Sequence, residues 1–157
     1  MIRKTISTLS LSGLLIAMCF TMAFAESATK EECVSMVQAA IKVAADQGID
    51  AAFAQIGDPK GPFVWKDSYA FATSADEAVT QAHPIKPKLV GKNLLHVKDV
   101  NGVLIFAEIS KIASSPAGKG WVDYMWPKPG EKKPAQKHTY VEKIPGTNTA
   151  ICAGYYE

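Results

Sequence analysis

The chain has 157 residues, 48% of them hydrophobic, with 17 basic and 15 acidic side chains, which suits one domain with a real core. Two of the basic residues, Arg3 and Lys4, belong to a leader-like start, and residues 26–157 carry 15 basic against 15 acidic groups. A formally neutral domain has no basic footprint for nucleic acid or for anionic membrane surfaces, so neither is an expected partner.

After Arg3 and Lys4, the stretch from Leu9 to Phe24 is mostly apolar and Ala23-Phe24-Ala25 supplies an A-x-A site. This is the pattern of an export signal. It predicts a signal peptide over residues 1–25 and a single domain over 26–157, periplasmic or secreted. The unbroken apolar stretch Gly13 to Ala25 falls short of the roughly 20 residues of a spanning helix, so no stable membrane insertion is expected after cleavage. A lipid attached at Cys19 is disfavoured, because Met18 stands where a small residue is needed. Of the other cysteines, Cys33 and Cys152 are free to pair in an oxidising compartment or to remain two buried thiols. Paired, they would tie the first helix to the last strand for about 4 to 5 kcal/mol in the chain-entropy treatment.

Thr29-Lys30-Glu31-Glu32 reads as a capping box, followed by Val34, Val37, Ile41, Ala44 and Ala45 at helical spacing. Gly48 ends this helix, and Ile49, Ala52, Phe53 and Ile56 mark a second, short one closing at Gly57. Phe63-Val64-Trp65, Tyr69 to Thr73 and Ala78 to His83 are β-prone runs, with a turn across Thr73 to Glu77. The Pro- and Lys-rich crossing from Pro84 holds a predicted helical turn at Asn93 to His96. Val103 to Ser114 is the second main helix, stopped by Ser115-Pro116-Ala117-Gly118. Gly120–Trp126, Gln136–Lys143 and Thr149–Tyr156 complete the chain as three antiparallel strands. Without β-α-β alternation the class is α+β, with helices on an antiparallel sheet.

In order, Phe63-Val64, Tyr69-Ala70-Phe71, Ala82-His83-Pro84, Leu89-Val90-Gly91-Lys92-Asn93-Leu94, Lys98-Asp99-Val100-Asn101-Gly102, Gly120-Trp121-Val122-Asp123-Tyr124, Lys137-His138-Thr139-Tyr140-Val141 and Gly154-Tyr155-Tyr156 resemble the single Cache domain. The resemblance implies a PAS-like fold, with a long N-terminal helix behind an antiparallel sheet and a pocket between the sheet and the crossing loops. It also implies an extracytoplasmic sensor of carboxylates or amino acids, of the kind carried by chemoreceptors and histidine kinases. The chain departs from that layout in having no second membrane segment or output domain, which favours a free-standing exported binding protein. It departs again at Asp76-Glu77-Ala78, where relatives carry Asp-Gly.

The candidate ligand residues come from strand alternation. On the late strands Trp121, Asp123 and Met125 point opposite to Val122, Tyr124 and Trp126, and Lys137, Thr139 and Val141 opposite to His138 and Tyr140. The pairing register decides which sets meet. A ligand face needs polar handles, which favours Lys137 as carboxylate partner with Trp121 as a wall. Tyr124 and Tyr140 are candidate hydroxyl donors, and with Trp126 they suit either a pocket or the core. His83, matched to the family's His-Pro pair, is a candidate donor or a histidine bonded to backbone. Tyr69 and Phe71 share one strand face as pocket floor or as core.

No cofactor or metal is expected, since His83, His96 and His138 follow no ligand spacing. The sequence lacks G-x-S-x-G, so an enzyme is not expected either. Asp99-Val100-Asn101-Gly102 reads as a capping turn rather than a calcium loop. The expected function is binding of a small organic acid or amino acid, for sensing or for presentation to a membrane receptor or kinase. The alternative is a ligand-free interaction module that docks onto such a partner.

Overall fold

The computed structural model describes residues 26–157, so the predicted signal peptide and Cys19 lie outside the described residues. The Thr29 hydroxyl accepts from the Glu32 N–H at 3.2 Å and the Glu32 carboxylate accepts from the Thr29 N–H at 2.8 Å, closing the capping box that starts α1 (Lys30–Gln47). Cys33, Met36, Val37 and Ala40 form its buried stripe, at the spacing that puts side chains on one helix face. Gly48, at φ +93°, breaks the helix and leads into α2 (Ile49–Gly57).

The strands are β1 (Val64–Trp65), β2 (Ser68–Ser74), β3 (Thr80–Ala82), β4 (Lys119–Pro127), β5 (Pro134–Lys143) and β6 (Thr149–Tyr156). They form an antiparallel sheet in the order β1-β2-β6-β5-β4, with β3 also paired to β2. The last strand in sequence is thus central, and both β2 and β6 are almost wholly buried. α3 (Ile105–Ala113) packs on one face of the sheet and α1 on the other. Ala70, Ala72, Tyr140, Ile151 and Ala153 meet α1, and Tyr69, Phe71, Val122, Tyr124, Val141 and Cys152 meet α3. This is the expected α+β fold, with three helices packed on an antiparallel sheet.

Several local expectations are corrected. The helical turn expected at Asn93 to His96 is absent: Asn93 bridges to Val79, and the helical turn falls at Pro87–Leu89, where proline fits the first position. α3 starts two residues later than expected, at Ile105, because the preceding residues are held in the turn capped by Asp99. The strand expected from Ala78 begins at Thr80. Ala78 itself adopts φ +53°, the left-handed conformation that the family's Asp-Gly supplies without a Cβ penalty. Cys33 and Cys152 are both free and buried. They cannot reach each other because Cys33 lies in the α1 core and Cys152 in the α3 core, with the sheet between them.

Candidate functional site

Register places Lys137 opposite both Tyr124 on β4 and Tyr156 on β6, so these three side chains leave the sheet on the α3 face. Thr139 lies two residues along, facing Gly154. A Cβ at Gly154 would sit 2.8 Å from Lys137 Cε and 2.5 Å from Thr139 Oγ1. The missing side chain is therefore the space through which the lysine runs over β6. Lys137 is 0% exposed, and its Nζ has no hydrogen-bond partner among the described residues.

What surrounds the ammonium is aromatic. Nζ lies 4.0 Å from the Tyr69 ring centroid, 5.0 Å from that of Tyr156 and 5.8 Å from that of Phe71. His83 stacks on Phe71 at 5.7 Å and lies 5.0 Å from Tyr69. Phe106 from α3 bridges Phe71 to Trp126, and Tyr124 meets Trp126 edge-on. Lys86 places a second ammonium 4.2 Å above the Trp126 ring. The crossing segment covers the cluster with Ile85, Leu89, Leu95, Val97 and Val103.

The hydrogen bonds fix the donors. His83 Nδ1 accepts from the N–H groups of Ile85 and Lys86, at 3.3 and 3.1 Å, so in the neutral ring the proton sits on Nε2. Tyr124 Oη accepts from Thr139 Oγ1 and Tyr156 Oη donates to the Pro127 carbonyl, each at 2.9 Å. Burial raises the Tyr124 phenol well above its ordinary value, and burial with the neighbouring Tyr69 does the same for Tyr156. Both stay neutral at any physiological pH.

Burial first, then the Lys137 and Lys86 cations, push His83 down to about 3 from 6.5. The folded protein therefore keeps His83 neutral while the unfolded chain takes up a proton below 6.5. Stability from this group is complete above pH 6.5 and is lost as pH falls toward 3, at up to about 1.4 kcal/mol per pH unit. In His83→Asn, Oδ1 stands in for Nδ1 as acceptor. Urea unfolding of that variant between pH 6.5 and 5 is expected to show a flatter pH dependence than the parent; equal slopes would assign the effect elsewhere.

Of the candidate residues, Lys137, Tyr124, Trp126, Tyr69, Phe71 and His83 come together. Trp121 and Tyr140 do not. They pair with each other across β4 and β5, 5.3 Å between rings, on the α1 face, because the register sets Tyr124 rather than Trp121 opposite Lys137. Trp121 instead lines a polar hollow of about 250 Å³ with Lys30, Asp123, His138 and Tyr155. Sequence reasoning missed Tyr156, Lys86, Phe106 and Gly154. Tyr156 and Gly154 stood in the closing Gly-Tyr-Tyr motif, and Lys86 follows His83 by three residues, but only the β5–β6 register brings the first two to Lys137.

A long capped helix behind an antiparallel sheet, with a covered cation and aromatic cluster on the other face, defines a PAS-like domain of the sensor type. A family model described as "Cache domain" matches residues 62–157, and the chain belongs to that family. It is 34% identical over 74 residues to the methyl-accepting chemotaxis protein McpP of Pseudomonas putida KT2440; the match takes in 47% of this chain and 13% of that relative. Among solved structures it is similar to one titled "Structural basis for carboxylic acid recognition by a Cache chemosensory domain", at 28% identity and a TM-score of 0.67, covering 80% of this chain and 91% of the other. A second, described as the periplasmic sensor domain of a chemotaxis protein, aligns at 26% identity and a TM-score of 0.64, covering 80% and 88%. No helix among the described residues is long and apolar enough to cross a membrane.

Proposed function

We propose that this chain is an extracytoplasmic sensor-type domain that binds a small carboxylate at Lys137. The single observation that carries the reading is the fully buried ammonium with no hydrogen-bonded partner among the described residues. Removing an ammonium from water costs several kcal/mol even after relaxation, and a desolvated aromatic face returns about 2 kcal/mol or somewhat more. A carboxylate supplies the charge and the hydrogen bonds that the rings lack. His83 Nε2–H is a second donor beside it, and the Lys86 ammonium adds to the positive field. The aromatic side chains around Lys137 are of the type that would wall in the apolar part of a small acid once the cover makes room for it.

The cluster of Lys137, His83, Tyr69, Phe71, Tyr124, Tyr156 and Trp126 contains no carboxylate of its own. An amino acid's ammonium group would have no counter-charge there, so a simple organic acid fits better than an amino acid. The similarity to chemotaxis-receptor domains supports sensing as the role and a membrane receptor or kinase as the partner, and the leader-like start supports export.

A thermal-shift screen of small carboxylates, with amino acids and uncharged amides of matching size alongside, tests the reading. At about 100 times its dissociation constant, a binding acid adds roughly 2.7 kcal/mol of stability. Acids are expected to raise Tm and amides not. A flat response to every acid at millimolar concentration would instead leave the docking module as the reading.

A further inference from the structure

With Lys137 fully covered, nothing reaches its ammonium unless part of the cover moves. The hydrogen bonds of the cover to the sheet are unequal at its two sides, and the Ile105 N–H of α3 also donates to the cover's Val97 carbonyl at 3.2 Å. Toward β3 it is held by backbone bonds: Gly91 N–H to the Thr80 carbonyl at 2.8 Å, Thr80 N–H to the Lys92 carbonyl at 3.0 Å and Leu94 N–H to the Ala78 carbonyl at 3.1 Å. Toward the opposite edge of the sheet, its hydrogen bond to β4 is made by one side chain. Asp99 Oδ2 accepts from the Met125 N–H at 2.8 Å, while Asp99 Oδ1 accepts from Asn101 and Val103 N–H at 2.9 Å and so shapes the local turn. Lys86 over Trp126 adds a cation–π contact on that side, and Ile85, Leu89, Leu95, Val97 and Val103 add apolar packing on the cluster that β4 shares.

We infer that Asp99 is the latch of a lid formed by residues 84–104, and that release of its bond to Met125 opens the way to Lys137. The division of labour between the two oxygens makes this geometry separable. One oxygen keeps the turn in shape, and the other holds the turn to the edge of the sheet. When the bond opens, the Met125 N–H and the carboxylate both gain water, so opening requires no loss of strand pairing; β4 keeps its whole ladder with β5. The β3-side bonds remain as the hinge. Access would then be set by the latch, and affinity by Lys137 and His83.

The inference rests on the carboxylate reading for the purpose of the lid, but its test needs no ligand. Asp99→Asn is the discriminating variant. Its Oδ1 can still accept from Asn101 and Val103, whereas its Nδ2 presents a donor to the Met125 N–H and removes the latch. The probe is acylation of lysine in the native protein by a small water-soluble acetylating reagent, read peptide by peptide. Hydrogen exchange of residues 84–104 and of β6 is measured in parallel. Asp99→Asn is expected to acylate Lys137 about tenfold faster or more, which is the scale of losing a charge-assisted hydrogen bond, and to speed exchange in the lid but not in β6. Asp99→Ala, which loses the turn as well, should go at least as far. An unchanged Lys137 rate in Asp99→Asn overturns the latch. So does acceleration matched in β6, because that is global unfolding. Either result leaves the thermal-shift response to acids untouched, so failure of the lid and failure of carboxylate binding are told apart.

Discussion

Replacing Lys137 by methionine is expected to move stability and binding in opposite directions. Methionine keeps the length and most of the apolar surface of the side chain and removes the ammonium that has no hydrogen-bonded partner among the described residues. Substituting apolar groups for buried charges is commonly neutral or stabilising by about 1 to 4 kcal/mol, so the ligand-free variant should unfold at equal or higher urea concentration. Affinity for a carboxylate should fall by about 30- to 1000-fold, since losing one partner of a buried charge pair costs on the order of 2 to 4 kcal/mol. Denaturation and calorimetric titration together decide it. A lysine serving only as packing over Tyr69 would give the reverse pattern, with a less stable variant and unaltered binding.

Gly154→Ala is the second large effect. A methyl there would lie 2.7 Å from the His138 carbonyl oxygen as well as against Thr139 and the Lys137 chain. The hydroxyl and the lysine methylenes can shift; a backbone oxygen of the neighbouring strand moves only with the sheet. Overpacking of this kind costs about 1 to 3 kcal/mol and sometimes more, and its site in the central strand favours the upper end. The expected loss is about 3 kcal/mol, with carboxylate binding weakened because Lys137 is displaced. Gly57→Ala is the matched control: it meets nothing within 4 Å and needs no positive φ, so its urea midpoint should stay close to the parent's. Equal behaviour of the two variants would mean that β6 tolerates the methyl.

The parts of the fold legible in the sequence are those written in short-range signals. The Thr29–Glu32 capping box, the Gly48 break and the alternating strands at the end of the chain each need only a few neighbouring residues. The capping box and the bounds Thr149–Tyr156 match the structure. The turn at Ala78 was harder, because alanine at a left-handed position violates the local preference that would have marked it. The site was half legible for one reason. Alternation sorts each strand into two faces, but which face of β4 meets which face of β5 depends on register, and a slip of one residue exchanges Trp121 for Tyr124. The same missing information separated Tyr156 and Gly154 from Lys137. Cysteine counting leaves pairing and two free thiols both open for the same reason, since two thiols say nothing of the sheet that stands between them.

The two sides of the sheet end differently from its middle. Among the described residues β4 has strand partners only in β5, yet it terminates in Pro127, faces Pro134 across the ladder, and gives its Met125 N–H to Asp99. At the other margin, β1 and β3 are two and three residues long and divide the border of β2 between them. The short β1 and β3 leave little edge for another chain to zip onto, whereas β4 keeps a longer open border on which the Met125 N–H is already taken by Asp99. Asp99 therefore does a second thing besides fastening the lid: it keeps the Met125 N–H from serving an added strand.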